Sequence, residues 1–268
     1  MQAMRKKPYH YYLIHLQFLG FRYHGWMKQP EVKTVQGMVD RTLAFIFGHE
    51  DFKTLGASRT DAGVSANEAA LELFVREPLE PEELLAQLNL NLPNDIRAMG
   101  IEAVDRHFNI IQHPKVKEYT YLFSYGEKNH PFCAPFMVYM REPLDIPLMK
   151  KGAKLFEGTH NFKRYCIKPG ENTVFEREIL HSVIRENDLH TASFFPKESF
   201  VYYVHGKGFL RHQVRLMMGA LFALGKGNLS LAEIEGSLKG KEDGPIAFMA
   251  PQTGLTLNKM SFEDGAES

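Results

Sequence analysis

A short run of small residues, 56–66, contains a single carboxylate, Asp61, with a guanidinium two residues upstream at Arg59. Gly56 and Gly63 let the backbone bend and approach a ligand closely. A carboxylate beside an arginine stays ionised, and an ionised carboxylate can act as a nucleophile. An Asp in such a turn also commonly accepts backbone N–H groups. The segment alone therefore leaves two alternatives, a catalytic residue and a turn residue.

Two further segments combine aromatic rings with basic side chains. Residues 23–29 contain the only tryptophan, Trp26, close to Lys28, a composition suited to base stacking and phosphate contact. The alternative is a tryptophan that fills the core of the domain. In the second half of the chain, Tyr119 begins a predicted strand, where its ring can project into a cleft and stack on a base. We expect Tyr121, two residues later, to pack in the core.

A basic pair, Arg211 and Arg215, falls four residues apart in a segment predicted to be helical. This spacing places both side chains on one face of the helix, in its first turns, where the backbone N–H groups already favour anions. Arg211 can equally be a solvated surface residue. Arg215 precedes the apolar run 216–220, so we expect it to need a carboxylate partner, and Asp61 is our candidate.

The overall charge does not by itself indicate a nucleic-acid-binding protein. The chain has 268 residues with 32 basic and 32 acidic side chains, so they balance. Residues 1–30 and 199–232, however, contain basic side chains and no acidic ones. Such segregation can build a basic cleft on a neutral protein, and it can equally give two solvated faces.

The composition also argues against several other classes of protein. No cluster of histidines and acids has metal-ligand spacing and no phosphate-binding glycine loop is present, so we predict neither a metal nor a cofactor. No apolar stretch is long enough to cross a bilayer, and we expect no membrane partner. The two cysteines form no CxxC pair, which favours a reducing, cytoplasmic setting.

The order of the predicted elements is β-α-β-β-α-β in each half of the chain. In the first half, the strands are predicted at 9–18, 52–55, 69–75 and 96–104, and the helices at 35–47 and from 81 to before Pro93. In the second half, the strands are predicted at 119–125, 179–186, 200–205 and 254–262, and the helices at 148–156, 210–221 and after the capping box at 230–233.

We therefore predict an α+β fold of two ferredoxin-like units, 1–108 and 109–268. The first unit would carry the Asp61 segment, and the second would carry Tyr119 and the basic helix. We expect the units to join side by side into an extended mixed sheet, with helices on one face and a catalytic cleft between the units.

In combination, these segments resemble the tRNA pseudouridine synthase A family. The similarity covers nearly the whole chain and rests most strongly on Ser-Arg-Thr-Asp-Ala-Gly-Val at 58–64. Further matching segments follow the order of that family. They lie at 23–26 (Tyr-His-Gly-Trp), 34–36, 91–96 (Asn-Leu-Pro-Asn-Asp-Ile), 117–121 (Lys-Glu-Tyr-Thr-Tyr), 209–215 and 250–255.

The resemblance implies a homodimeric isomerase that converts uridine to pseudouridine at positions 38 to 40 of the tRNA anticodon arm, without a cofactor. Asp61 would be the catalytic carboxylate, acting through a covalent adduct or through a glycal route. Arg59 would occupy the space left by the flipped base, Tyr119 would stack on the uracil, and Arg215 would form a salt bridge with Asp61. The other residues that we expect to bind the RNA are Trp26, Lys28 and Arg211.

Two departures from the family pattern concern the substrate. Ser65 stands where the family usually has His, and Phe108-Asn109-Ile110-Ile111 stands where it shows Phe-His-Ala-Arg, so a basic residue is lost. The particular uridine therefore stays open. The same chemistry on another RNA, such as mRNA or ribosomal RNA, and an RNA-binding protein without catalytic activity are the alternatives.

Overall fold

The structure is a computed structural model that describes residues 8–262, except for the side chains at 114 and 115. The basic residues noted at 5–7 lie outside the described residues. The described residues up to Lys115 and those from Met260 onward form one compact unit, and Val116–Lys259 form a second. Within the described part there are ten strands and five α-helices, which makes the fold a mixed α+β fold.

The first unit contains four antiparallel strands in the order β4-β1-β3-β2. Its elements are β1 (His10–Phe18), α1 (Val35–Phe47), β2 (Phe52–Gly56), β3 (Ser65–Val75), α2 (Pro81–Asn91) and β4 (Ile96–Val104). Ile14 of β1 lies opposite Leu71 on one side and Ile101 on the other. The predicted helix at 35–47 is confirmed, and Thr34 caps it by accepting the N–H of Gly37 at 3.2 Å.

Side chains on both faces of this first sheet are buried. Ile14 is fully buried, while Leu13, its neighbour on the opposite face, packs with Ala57, Ala70 and the fully buried Ile110. The segment 105–113, which follows β4, therefore covers one face of the sheet and reaches the start of the loop that carries Asp61.

The second unit contains strands in the order β10-β5-β9-β8-β7, and β6 runs parallel to β5. Its elements are β5 (Pro114–Tyr125), β6 (Val138–Met140), α3 (Ile146–Lys154), β7 (Gly158–Asn161), β8 (Glu176–Glu186), β9 (Phe200–Gly206), α4 (Gln213–Gly225), α5 (Leu231–Ser237) and β10 (Leu255–Phe262). The capping box predicted at Ser230 is confirmed, since its hydroxyl accepts the N–H of Glu233 and the Glu233 carboxylate accepts the N–H of Ser230.

Helix α4 forms the centre of this second unit, because every residue from Gln213 to Gly225 is buried. Phe222 of α4 packs edge-on against Tyr121 and Phe123 of β5, at ring-centroid distances of 6.0 and 5.3 Å. The prediction that Tyr121 packs in the core is thus confirmed, and its ring is fully buried.

Several boundaries differ from those predicted, and two of these differences have a physical reason near the candidate site. Strand β3 begins at Ser65, four residues before the predicted start, because polar residues at its beginning hid the alternation. Helix α4 begins at Gln213 because His212 adopts the left-handed conformation, with a φ of 63°, which ends the preceding turn. The expectation that Arg211 and Arg215 share a helix face is therefore wrong, since Arg211 precedes the helix.

Candidate active site

Asp61 lies in the loop 57–64 between β2 and β3, which we call the Asp61 loop. The loop closes with a turn in which the N–H of Val64 donates to the Asp61 carbonyl at 3.2 Å, and Gly63 supplies the positive φ of 76°. Ala57 at its start is buried, whereas Asp61 is partly exposed and Arg59 is exposed. The loop is thus fixed through its backbone and leaves Asp61 partly accessible to solvent.

Residues 20–26, which follow β1, run alongside this loop and bond to it. The N–H of Trp26 donates to the Thr60 carbonyl at 3.1 Å, and the N–H of Gly63 donates to the Tyr23 carbonyl at 3.0 Å. A Cβ on Gly25 would lie 2.7 Å from the Thr60 oxygen, so the close approach requires glycine there. The residues on both sides of Asp61 are therefore tied to the 20–26 segment.

A third tie uses Ser65, one of the two departures from the family pattern. Its buried hydroxyl accepts the N–H of Gly20 at 3.0 Å. A Cβ on Gly20 would lie 1.9 Å from the Val64 carbonyl oxygen, so the two chains are in direct contact at this point. Ser65 thus stabilises the end of the Asp61 loop.

Trp26 fills the core of the first unit. Its side chain is 2% exposed, its ring lies 5.8 Å from that of Phe18, and its indole lies directly over Gly56. The expectation that Trp26 stacks on RNA is corrected here, because a ring buried in this way has no free face for a base. The core alternative raised from the sequence is the arrangement observed.

Lys28 lies at the surface, next to α1. Its ammonium is 3.5 Å from a carboxylate oxygen of Asp40, and the other oxygen of Asp40 accepts the hydroxyl of Thr54 at 2.6 Å. Lys28 remains largely exposed. It can therefore contact a phosphate, as can Arg59 in the same unit.

In the second unit, Tyr119 lies on β5 opposite Val204 of β9. Its partly exposed ring meets Phe209 edge-on, with the centroids 5.1 Å apart and the planes at 86°. Lys117, two residues earlier on the same face, is desolvated, and burial lowers the pKa of its ammonium. Phe209 thus orients the Tyr119 ring without covering it completely.

Arg215, on α4, is only 7% exposed and is bound by the segment that precedes β10. Its Nε donates to the Ala250 carbonyl at 2.8 Å, and its Nη2 donates to the side-chain oxygen of Gln252 at 3.4 Å. The N–H of Ala250 donates back to the Arg215 carbonyl at 3.1 Å. The guanidinium is therefore oriented before any substrate arrives. Arg211, which precedes the helix, is exposed.

Comparison with known proteins identifies the family. A family model described as tRNA pseudouridine synthase matches residues 153–263. The chain is 31% identical to the tRNA pseudouridine synthase A of Dictyoglomus thermophilum and 31% identical to that of Aquifex aeolicus, in each case over 93% of this chain and 98% of the relative. It is 30% identical to that of Shouchella clausii, over 92% of this chain and 91% of the relative.

The chain belongs to the tRNA pseudouridine synthase A family. Its class of activity is accordingly that of an isomerase. Among the described residues, no group of three or more His, Cys, Asp or Glu side chains could hold a metal ion. In the same part of the chain, every helix is too short or too polar to cross a membrane.

Two residues of the site had no role in the sequence-based interpretation. Phe209 and Asp95 both fall within segments that resemble the family, but the sequence gives no direct sign of what they contact. Phe209 orients Tyr119, and Asp95 binds the side chain of Tyr23 in the 20–26 segment. Contacts between residues so far apart in the chain, such as Tyr23 and Asp95, leave no periodic pattern in a single sequence.

Proposed function

We propose that this protein converts uridine to pseudouridine in the anticodon arm of tRNA, at positions 38 to 40, with Asp61 as the catalytic carboxylate. The observation that supports this most directly is the geometry of the Asp61 loop. A partly exposed carboxylate lies in a loop whose backbone is bonded on both sides of it. A pre-organised charge of this kind is what catalysis at a nucleoside needs.

The reaction is an internal rearrangement. The target nucleotide leaves its stack, at a cost of a few kcal/mol, and the N1–C1′ bond breaks. The uracil turns, C5 bonds to C1′, the proton on C5 is removed, and N1 ends protonated, so no atom is gained or lost. Both routes, attack by Asp61 and proton abstraction to a glycal, require this carboxylate to be ionised.

The other side chains would bind and orient the substrate. In this proposal Tyr119 stacks on the extruded uracil, Arg59 fills the space left in the RNA, and Arg215 forms a salt bridge with Asp61. The support for the role of Arg215 is its fixed guanidinium, since a buried arginine already bound by Ala250 and Gln252 loses little freedom on pairing. Lys28 and Arg211 would contact phosphates.

The architecture that we propose has two ferredoxin-like units, 1–108 and 109–268. The support is the strand order, β4-β1-β3-β2 in the first unit and β10-β5-β9-β8 in the second. Along the chain, α1 follows β1 and α2 follows β3 in the first unit. In the second unit, α3 follows β5 and α4 follows β9, as expected for a βαββαβ unit. We further propose a cytoplasmic homodimer.

The test of the catalytic role is Asp61→Asn, which keeps the shape of the side chain and removes its charge. We expect no detectable pseudouridine in a tRNA anticodon stem-loop and a tRNA affinity within about threefold of the wild type, because the charge acts on the reaction and not on phosphate binding. The matched control is Glu68→Gln, an exposed carboxylate on β3. Turnover by Asp61→Asn would overturn the assignment.

A second candidate, the same chemistry on another RNA, is favoured by one observation. Ile111 is 56% exposed where the family shows a basic residue, so the 105–113 segment presents an apolar side chain to the solvent. Incubating the protein with total RNA and mapping new pseudouridines decides between the substrates. New sites confined to mRNA or ribosomal RNA favour the second candidate, and an absence of any new site favours a non-catalytic RNA-binding protein.

A further inference from the structure

Asp95, in the short turn between α2 and β4, uses both oxygens of its carboxylate on the 20–26 segment. One oxygen accepts the hydroxyl of Tyr23 at 2.6 Å. The other accepts two N–H groups of Arg22, at 3.0 and 2.6 Å. The carbonyl of Asp95 also accepts the N–H of Leu19 at 2.9 Å. Asp95 thus binds Leu19, at the end of β1, and both Arg22 and Tyr23 within the 20–26 segment.

The Asp95 carboxylate is largely shielded from solvent, while Arg22 remains mostly exposed. Burial acts to raise the pKa of Asp95, but the hydrogen bonds from Tyr23 and Arg22 outweigh it, so the pKa lies below its usual range. Tyr23 is 3% exposed, and burial together with the Asp95 carboxylate raises its pKa. The Tyr23 hydroxyl therefore stays protonated and acts as a fixed donor to Asp95.

From Tyr23 the contacts continue directly to the Asp61 loop. The Tyr23 carbonyl accepts the N–H of Gly63, two residues after Asp61, at 3.0 Å. The ammonium of Lys33 lies over the face of the Tyr23 ring, 4.9 Å from its centroid, a cation–π contact that adds to the hydrogen bond of the hydroxyl. A path of two hydrogen bonds therefore connects the Asp95 carboxylate to the backbone beside Asp61.

We propose that Asp95 is a positioning residue, which sets the orientation of the catalytic carboxylate through Tyr23 and Gly63. The inference rests on the proposed function for its effect on the reaction, but the mechanical link that it assigns exists whether or not the protein is catalytic. A displacement of about 1 Å at a reacting group can cost a hundredfold in rate, so a residue that never touches the substrate can control turnover. Arg22, which is exposed, contributes little to this link.

The test compares Asp95→Ala with Tyr23→Phe, using steady-state kinetics and binding titrations on a tRNA substrate. Alanine has no side-chain acceptor, so it loses the bonds from both Tyr23 and Arg22. We expect kcat to fall about ten- to a hundredfold in each variant. We also expect the tRNA affinity to stay within about twofold. Because both changes break the same path, the double variant should lose little more than either single variant.

Two matched variants separate positioning from a general loss of stability. Glu102→Gln breaks the ion pair of Glu102 with His15 in the same unit, 3.0 Å apart, and Arg22→Ala removes the exposed partner of Asp95. We expect Glu102→Gln to leave kcat unchanged and Arg22→Ala to lower it by no more than about threefold. A wild-type kcat in both Asp95→Ala and Tyr23→Phe would overturn the inference, and Tyr23→Phe decides it if Asp95→Ala does not fold.

Hydrogen exchange keeps this inference distinct from the proposed function. In Asp95→Ala, the amide of Gly63 should exchange faster than in the wild type, while amides in α4 of the second unit should be unchanged. If the wild-type protein forms no pseudouridine in any RNA, the proposed function fails, and the exchange at Gly63 still decides the link. Unchanged exchange at Gly63 would show that Asp95 does not hold the Asp61 loop.

Discussion

Tyr119 and Tyr121 lie two residues apart on the same face of β5, yet their surroundings differ. Tyr121 is fully buried and donates its hydroxyl to the Pro251 carbonyl at 2.6 Å, and burial raises its pKa. Tyr119 contacts Phe209 with the edge of its ring and keeps part of its surface exposed. Of the two residues, only Tyr119 has the exposure that contact with a substrate requires.

The variant Tyr119→Phe tests whether the hydroxyl takes part in the reaction. A phenyl ring still stacks on a base, so we expect the affinity for tRNA to stay within about twofold. If the hydroxyl transfers a proton, the rate of the chemical step should fall about a hundredfold. The measurement is single-turnover kinetics, with Tyr203→Phe as the control, because that tyrosine binds Asp188 instead. An unaffected rate would limit Tyr119 to stacking.

At the scale of elements, the sequence predicted the regular structure better than the contacts between elements. Alternation predicted β1 and the second part of β5, and the Thr34 cap predicted the start of α1, because these signals are local. The beginning of α4 was not predictable, since the left-handed conformation of His212 has no sequence signal comparable to that of glycine.

The site was predictable only in its residue types. The segment around Asp61 carries a distinctive sequence, but its position depends on backbone bonds such as that between Trp26 and Thr60, which any residue type could make. The acceptors of Arg215 lie at Ala250 and Gln252, far along the chain. Burial decided the role of Trp26, and burial depends on tertiary packing.

The contact between the 20–26 segment and the Asp61 loop predicts a strong effect of Gly25→Ala. The alanine would have to adopt a φ of 88° and place its Cβ 2.7 Å from the Thr60 carbonyl, so the Asp61 loop must move. We expect kcat to fall at least about tenfold. The control is Gly48→Ala, which has a φ of 71° and open space around it. It should lose about 1 to 2 kcal/mol of unfolding free energy with kcat unchanged.

Glu72 on β3 interacts with the 105–113 segment and should make the stability of the protein depend on pH. The side chain is buried, and burial raises its pKa against the opposing effects of the Ile110 N–H and of His113. A carboxyl group with a raised pKa contributes stability that is present below its unfolded pKa and is lost as the pH rises through its folded pKa.

We therefore expect the free energy of unfolding of the wild type, relative to that of Glu72→Gln, to decrease as the pH rises above the ordinary pKa of a glutamate, about 4. Urea denaturation at a series of pH values measures this difference. Glu68→Gln, on an exposed position of the same strand, should show no such trend. A difference between wild type and Glu72→Gln that stays constant with pH would contradict the assignment.

At the scale of the whole molecule, the balance of 32 basic and 32 acidic side chains hides an uneven distribution. In the described part of the chain, many exposed basic side chains form salt bridges with acidic ones. Lys207 lies 2.6 Å from Glu178, and Lys154 is paired with Glu157. RNA affinity then depends on local charge and not on the net charge, because each phosphate contact releases counterions independently of distant acids.

We expect the affinity for tRNA to fall steeply with salt concentration despite the balanced charge. If Lys28 and Arg211 each contact a phosphate, Lys28→Gln and Arg211→Gln should each reduce the slope of log K against log salt by about one. Lys154→Gln, which removes a lysine of α3 that forms a salt bridge with Glu157, should leave the slope unchanged. Binding titrations at several salt concentrations measure the slope, and a slope near zero for the wild type would contradict the proposed RNA contact.

The burial of Trp26 has one practical consequence. As the only indole in the chain, packed against Phe18 and over Gly56 and bonded through its backbone to Thr60, it gives the unmodified protein a single source of tryptophan emission next to the Asp61 loop. Its emission spectrum reports the polarity around that one ring. Any RNA that shifts the neighbouring loop will alter the signal, so the approach of a substrate can be followed optically, in real time and without a label.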